Sequence, residues 1–127
     1  MANQIWHSAT DNLIAKLYPV AECVGVVIRK TEKEEFLRRG TAMALSNKDR
    51  KLVILGTGAA DQETLTPAYI LAEDIFVDST GDVSAVAYRS GNFNRGCIAL
   101  KDEKSLSAED EDNFRKYNIV FSDMMSL

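Results

Sequence analysis

The chain has 127 residues, 46% hydrophobic and 27% charged, which fits one soluble globular domain and leaves too few residues for a second core. Nineteen acidic against fifteen basic residues give a net charge of −4, without the basic excess that phosphate binding draws on, so no nucleic acid is expected as a partner. With His7 as its only histidine, the composition excludes most catalytic triads and histidine-rich metal sites and argues against an enzyme.

Residues 1–19 mix isolated apolar side chains (Ile5, Trp6, Leu13, Ile14, Leu17, Tyr18) with polar ones. Leu13, Ile14 and Leu17 fall at helical spacing, with Thr10 or Asp11 as N-cap and Pro19 as terminator, so this head reads either as a short helix or as a mobile arm. It carries no basic leader before an apolar core, and no apolar run approaches the ~20 residues of a membrane span. The expectation is a protein made in the cytoplasm, with no membrane partner.

From Val20 the pattern becomes β-like. CVGVVIR (23–29) is a β-branched run that predicts a strand, and the charged TEKEEFLRRG (31–40) reads as a turn-forming approach to the next strand, ending in Gly40. TAMALS (41–46) alternates Thr41, Met43 and Leu45 on one face with Ala42, Ala44 and Ser46 on the other. NKDR then turns the chain into KLVIL (51–55), the partner strand of a hairpin. GTGAADQETLTP (56–67) reads as a loop closed by Pro67. AYILAEDIFV, the turn at Thr80, Gly81 and Asp82, and VSAVAYRSG predict a second strand–turn–strand unit, and NFNRGCIAL (92–100) one more strand at its end.

Near the end, Ser107 followed three residues later by Asp110 resembles a capping box. Glu109 to Asp112 crowd the first turns of the predicted helix and Arg115 and Lys116 its last, both favourable to the helix dipole. Phe114 and Tyr117 share a face that would dock on the sheet. NIVFS (118–122) closes the domain as a strand. The fold class is therefore mainly β (α+β): a small domain of short strands, residues 20–127, with one C-terminal helix and an N-terminal arm, residues 1–19.

Chemistry-bearing patterns are sparse. Cys23 and Cys97 lie in apolar segments and are expected as buried free thiols; with His7 they offer no short-spaced pair of ligands, so neither a metal nor a cofactor is expected. Gly56-Thr57-Gly58 lacks the third glycine and the helix of a dinucleotide fingerprint and reads as a surface loop. The acidic run at 109–112 fits a solvated helix turn better than a cation site, because consecutive helical side chains point in different directions. Tyr88 to Arg95 is more informative. A glycine between two aromatics, flanked by arginines and asparagines, reads as a tight turn at a protein–protein surface, with Tyr88, Arg89, Asn92, Phe93 and Arg95 as interface candidates.

Four segments then occur in a recognisable order: EEFLRRGTAMALS, KLVILG, AYILAEDIFVDSTGDVSAVAYRSGNFNRGCIAL and SAEDEDNFRKYNIVFS. Over residues 32–122 they resemble the head decoration (capsid-stabilising) proteins of lambda-like tailed bacteriophages; the N-terminal segment and the charged TEKEE stretch depart from that pattern. The resemblance implies a β-clip-like domain that assembles as a homotrimer and has no catalytic activity. It would bind the major capsid protein at threefold and quasi-threefold positions on the outer surface of the expanded head, stabilising the virion against internal DNA pressure. Residues 1–19 would be the capsid-binding arm, anchored by Ile5, Trp6, Leu13 and Tyr18, through pairing of an extended segment with a capsid strand. The alternative is a β-clip-like trimeric nucleotide hydrolase using carboxylates such as Asp74 or Asp82 with a divalent metal.

Overall fold

The computed structural model of the chain describes residues 11–123. The β-branched run forms β2 (Glu22–Ile28), preceded by a short β1 (Ile14–Lys16), so of the two readings of this head the short helix does not hold at residues 14–16. An extended backbone alternates side chains between faces, so Val24, Val26 and Ile28 turn inward while Cys23, Gly25 and Val27 face out. The charged approach to Gly40 contains β3 (Glu35–Leu37). The expected hairpin is present as β4 (Ala42–Ser46) and β5 (Leu52–Ile54), antiparallel with Met43 opposite Ile54.

β6 (Leu65–Leu71) includes Pro67, which the loop reading had placed outside it. Pro67 lies opposite Ala44, beside the register shift between Met43 and Ala44, a bulged site of the kind where a strand accommodates a residue without an N–H. The chain then leaves the sheet as β7 (Ile75–Val77), which pairs with β3 in a separate two-stranded ribbon. β8 (Val83–Asn94) is twelve residues long and organises the molecule. Its first part pairs antiparallel with β2 and β6, its last part antiparallel with β1 and parallel with β9 (Ile119–Ser122). The order β8-β2-β5-β4-β6 returns to β8 through Ile70–Tyr88 and Leu71–Ala87, giving a small barrel-like sheet.

The alternation read from TAMALS serves two interiors. Ala42 and Ala44 join Leu13, Ile70, Tyr88, Phe93, Phe114 and Ile119 on one side, where small residues leave room for the rings. Met43 joins Ile28, Leu37, Leu52, Ile54, Leu71 and Val77 on the other. The helix α1 (Ala108–Arg115) starts at the expected capping box: Asp110 donates its N–H to the Ser107 hydroxyl at 3.0 Å, and the Asp110 carboxylate accepts from the Ser107 N–H. Phe114 is buried, but Tyr117 is exposed, because the helix ends at Arg115 and Tyr117 no longer shares its face. The strand expected at the end of residues 92–100 does not form: β8 runs on to Asn94, a 3-10 turn follows at Arg95–Cys97, and Ala99 makes only an isolated bridge to Thr41. The fold is a small mainly-β domain that includes the short helix α1.

Candidate functional site

Of the arm residues, Ile5 and Trp6, like His7, lie outside the described residues. Leu13 is not available for docking on a partner: it is 1% exposed within the aromatic-rich interior, and its carbonyl accepts the Asn94 N–H at 2.7 Å. Asp11 fixes the approach to it, accepting the Leu13 N–H at 3.1 Å and pairing with Arg39 at 2.5 Å. Chain direction changes after β1. Leu17, Tyr18 and Val20 are 82, 78 and 62% exposed, and an open cleft of about 590 Å³ beside them is lined by Tyr18, Pro19, Val20, Glu22, Ser90 and Asn118. Of the two anchors among the described residues, Leu13 is thus a core element, and Tyr18 belongs with Leu17 and Val20 to an exposed apolar strip.

The tight turn expected from Tyr88 to Arg95 is instead the second half of β8 running into the 3-10 turn. The glycine that suggested it has another reason to be there. Gly91 has φ +149°, and a Cβ on it would stand 2.6 Å from the Phe93 ring, so the absent side chain lets that ring fold across the strand. Phe93, Tyr88 and Asn92 are buried and are not surface candidates in the monomer. Asn92 ties β8 to the β1–β2 connection and to β9, donating to the Tyr18 carbonyl at 3.0 Å and accepting from the Ser122 hydroxyl at 2.8 Å. Arg95 holds α1 and β9 in place through a bidentate pair with Glu111 at 2.8 and 3.0 Å and a bond to Asp123 at 2.6 Å. Only Arg89 of this group is exposed, paired across the strands with Glu22.

The carboxylates named for the hydrolase alternative are engaged in holding loops. Asp74 accepts the Arg39 N–H at 2.7 Å, whereas Asp82 accepts the Lys30 N–H at 2.9 Å and pairs with Lys51. Arg39 also donates to the Ala72 carbonyl and the Tyr88 hydroxyl, with its guanidinium 5.4 Å from the Tyr88 ring centre. Both cysteines are free, but the burial expected of them does not hold: outward alternation along β2 exposes Cys23, and Cys97 is half-buried. Desolvation of the sulfur still pushes the Cys23 thiol up, against the charge of Arg39 and a bond from Tyr88, which disfavours the nucleophilic thiolate. Among the described residues, no three His, Cys, Asp or Glu side chains are placed to hold a metal ion, and no helix is long and apolar enough to cross a membrane.

Two surfaces were missed by sequence reasoning. Phe36 and Phe76 sit opposite each other on the β3–β7 ribbon, ring centres 4.9 Å apart and both exposed. Phe36 lies among six charged residues in TEKEEFLRR, and that charge masked a period-two strand whose Leu37 points inward. The second is a groove of about 670 Å³ under residues 98–106, where an apolar floor meets Arg38 and Lys104. No protein-family model matches the chain, and no match is found among curated proteins.

Proposed function

We propose that the protein is a phage-head decoration protein: a β-clip-like domain acting as a homotrimer that binds the major capsid protein on the outside of the expanded head and stabilises it, without catalysis. The observation that carries this reading is the strip of Leu17, Tyr18 and Val20, large apolar side chains left in water directly after a strand anchored in the core. Rigid anchoring of β1 lowers the ordering cost of contacts made just beyond it. The ordered segment resemblance over residues 32–122 supplies the identity of the partner, and threefold repetition would multiply weak contacts through effective concentration. The nucleotide-hydrolase alternative loses ground because Asp74 and Asp82, its candidate metal carboxylates, are each bound to backbone N–H groups that fix neighbouring loops.

The test is co-sedimentation with expanded phage heads and with unexpanded shells, together with the solution mass. The reading expects a trimer that pellets with expanded heads only. A double substitution, Leu17→Ser with Tyr18→Ser, should weaken head binding by about tenfold or more, the equivalent of roughly 1.4 kcal/mol, and leave the melting temperature unchanged. Deleting residues 1–19 is the wrong experiment, since it removes Leu13 from the core. Failure to pellet with any expanded head, or equal binding by the double variant, would overturn the assignment.

A further inference from the structure

We propose that the groove between Arg38 and residues 98–106 is a docking site for an extended peptide segment of a partner protein that alternates carboxylate and aliphatic side chains. This inference is independent of what the rest of the molecule binds. The groove's floor is Ile98, Leu100 and Leu106, all half-buried, so apolar surface remains uncovered there. Its rim carries two exposed cations, Arg38 and Lys104, whose side chains have no hydrogen-bond or ion-pair partner among the described residues. Arg95 forms part of the wall but is already neutralised by Glu111 and Asp123. Glu103 is the one carboxylate lining the groove, so the two unpartnered cations outnumber it. On a chain of net charge −4, a positive rim is a local feature and not the general character of the surface.

The shape of the wall selects the form of the occupant. Ile98 (φ −89°, ψ 131°), Leu100 (φ −124°, ψ 173°) and Lys104 (φ −71°, ψ 162°) have extended backbone on either side of the turn at Lys101–Glu103, where Asp102 and Glu103 take left-handed conformations (φ 57° and 58°). A segment lying along such a wall in its own extended form presents alternate side chains to opposite sides. One set reaches the aliphatic floor and the other the cationic rim, so the complementary sequence has period two. Apolar contact supplies affinity and the charges supply orientation and discrimination. A nucleic acid fits less well: none of the lining residues is aromatic, so no base could stack, and only two unpartnered cations are available for phosphates.

The probe is a fluorescein-labelled peptide of about eight residues alternating aspartate and leucine, an extended length of roughly 27 Å, titrated with the full chain and read by fluorescence anisotropy. Saturable binding is expected. It should weaken about tenfold or more, or roughly 1.4 kcal/mol, in the Arg38→Glu, Lys104→Glu double variant, and that variant should gain affinity for a lysine–leucine peptide that the natural chain rejects. Replacing leucine by serine in the probe should abolish binding, which tests the floor separately from the rim. Arg38→Gln with Lys104→Gln gives the same test with a milder change should charge reversal disturb folding. The proposal is overturned by absence of saturable binding at millimolar probe, by unchanged affinity in the double variants, by equal binding of the aspartate–serine peptide, or by displacement of the probe with single-stranded DNA.

Discussion

Two aromatic pairs in this molecule have nearly the same geometry and opposite surroundings. Tyr88 and Phe93 lie 5.3 Å apart at 50°, buried, with Phe93 continuing to Phe121 and Phe121 to Phe114. Phe36 and Phe76 lie 4.9 Å apart, also at 50°, but on the outer face of a two-stranded ribbon, with 55 and 61% of their surface in water. The first pair has neighbours on every side, from β1, β8, β9 and α1. The second has mainly each other, while Leu37 and Val77, one position along the same strands, take the buried face. Ring contact alone therefore says little about what an aromatic does; the rest of its contact shell decides.

The largest effect should come from emptying the buried cluster. Phe93→Ala is expected to cost about 3–5 kcal/mol, because the void cannot collapse between strands fixed by their ladders. Leu13→Ala should follow at about 2–5 kcal/mol, whereas Leu17→Ala, four residues along and exposed, should stay within about 0.5 kcal/mol. Urea unfolding of the three variants measures the contrast directly. A Leu13 effect as small as that of Leu17 would mean that β1 is not part of the folded unit. Gly91→Ala asks whether the Phe93 ring needs the missing Cβ. With φ +149° and a 2.6 Å encounter, a loss of about 1–3 kcal/mol is expected.

Charge shows the same division. Glu63 is covered by protein, with its carboxylate held by Arg29 at 2.6 Å, the Ser46 hydroxyl at 2.5 Å and the Ala60 N–H at 2.9 Å. The Arg29 bond is the largest cause that lowers its pKa from 4.5 to about 2, and Arg29 likewise lowers Asp49 from 3.8 to about 2. Glu22 and Arg89 form the exposed counterpart. A carboxylate whose pKa is lower in the folded state stabilises fully above its unfolded pKa, and that contribution is lost as pH falls through the folded one. Thermal stability should therefore decline from about pH 4.5 toward pH 2. Glu63→Gln should flatten part of that slope, with Asp49, Asp78 and Asp82, whose carboxyls are also held below the usual range, retaining the remainder. A slope unaffected by Glu63→Gln would assign the acid sensitivity elsewhere.

Legibility in the sequence followed how local each determinant is. The capping box at Ser107 and the β4–β5 hairpin were readable because neighbouring residues determine them. β1 was not: Leu13, Ile14 and Leu17 satisfy helical spacing, and pairing with the distant residues Asn92 and Phe93 overrides it. The stretch around Gly91 failed for a related reason. Glycine, asparagine and arginine have the composition of a turn, but here each answers another need: a ring, a distant loop and strand, and a helix. The apolar strip was half visible, since Tyr18 stood out as a residue type while nothing local separated it from buried Leu13. The groove at Arg38 was invisible, because its floor and rim come from segments sixty residues apart that the Thr41–Ala99 bridge brings together.

The exposed aromatic pair supplies the smallest and most discriminating prediction. If Phe36 and Phe76 stabilise the ribbon only through each other, a double-mutant cycle with alanine should give a coupling of about 0.5–1.5 kcal/mol, and each single variant should lose about 1 kcal/mol or less. Leu37→Ala, on the opposite face of the same strand, should cost about 2–5 kcal/mol. A Phe36 variant as damaging as Leu37→Ala would show that the outer face is covered in solution, and the protein concentration dependence of its melting temperature would then tell whether a second copy covers it. Small losses with no concentration dependence would leave the pair as free apolar surface, held in position by the residues that point the other way.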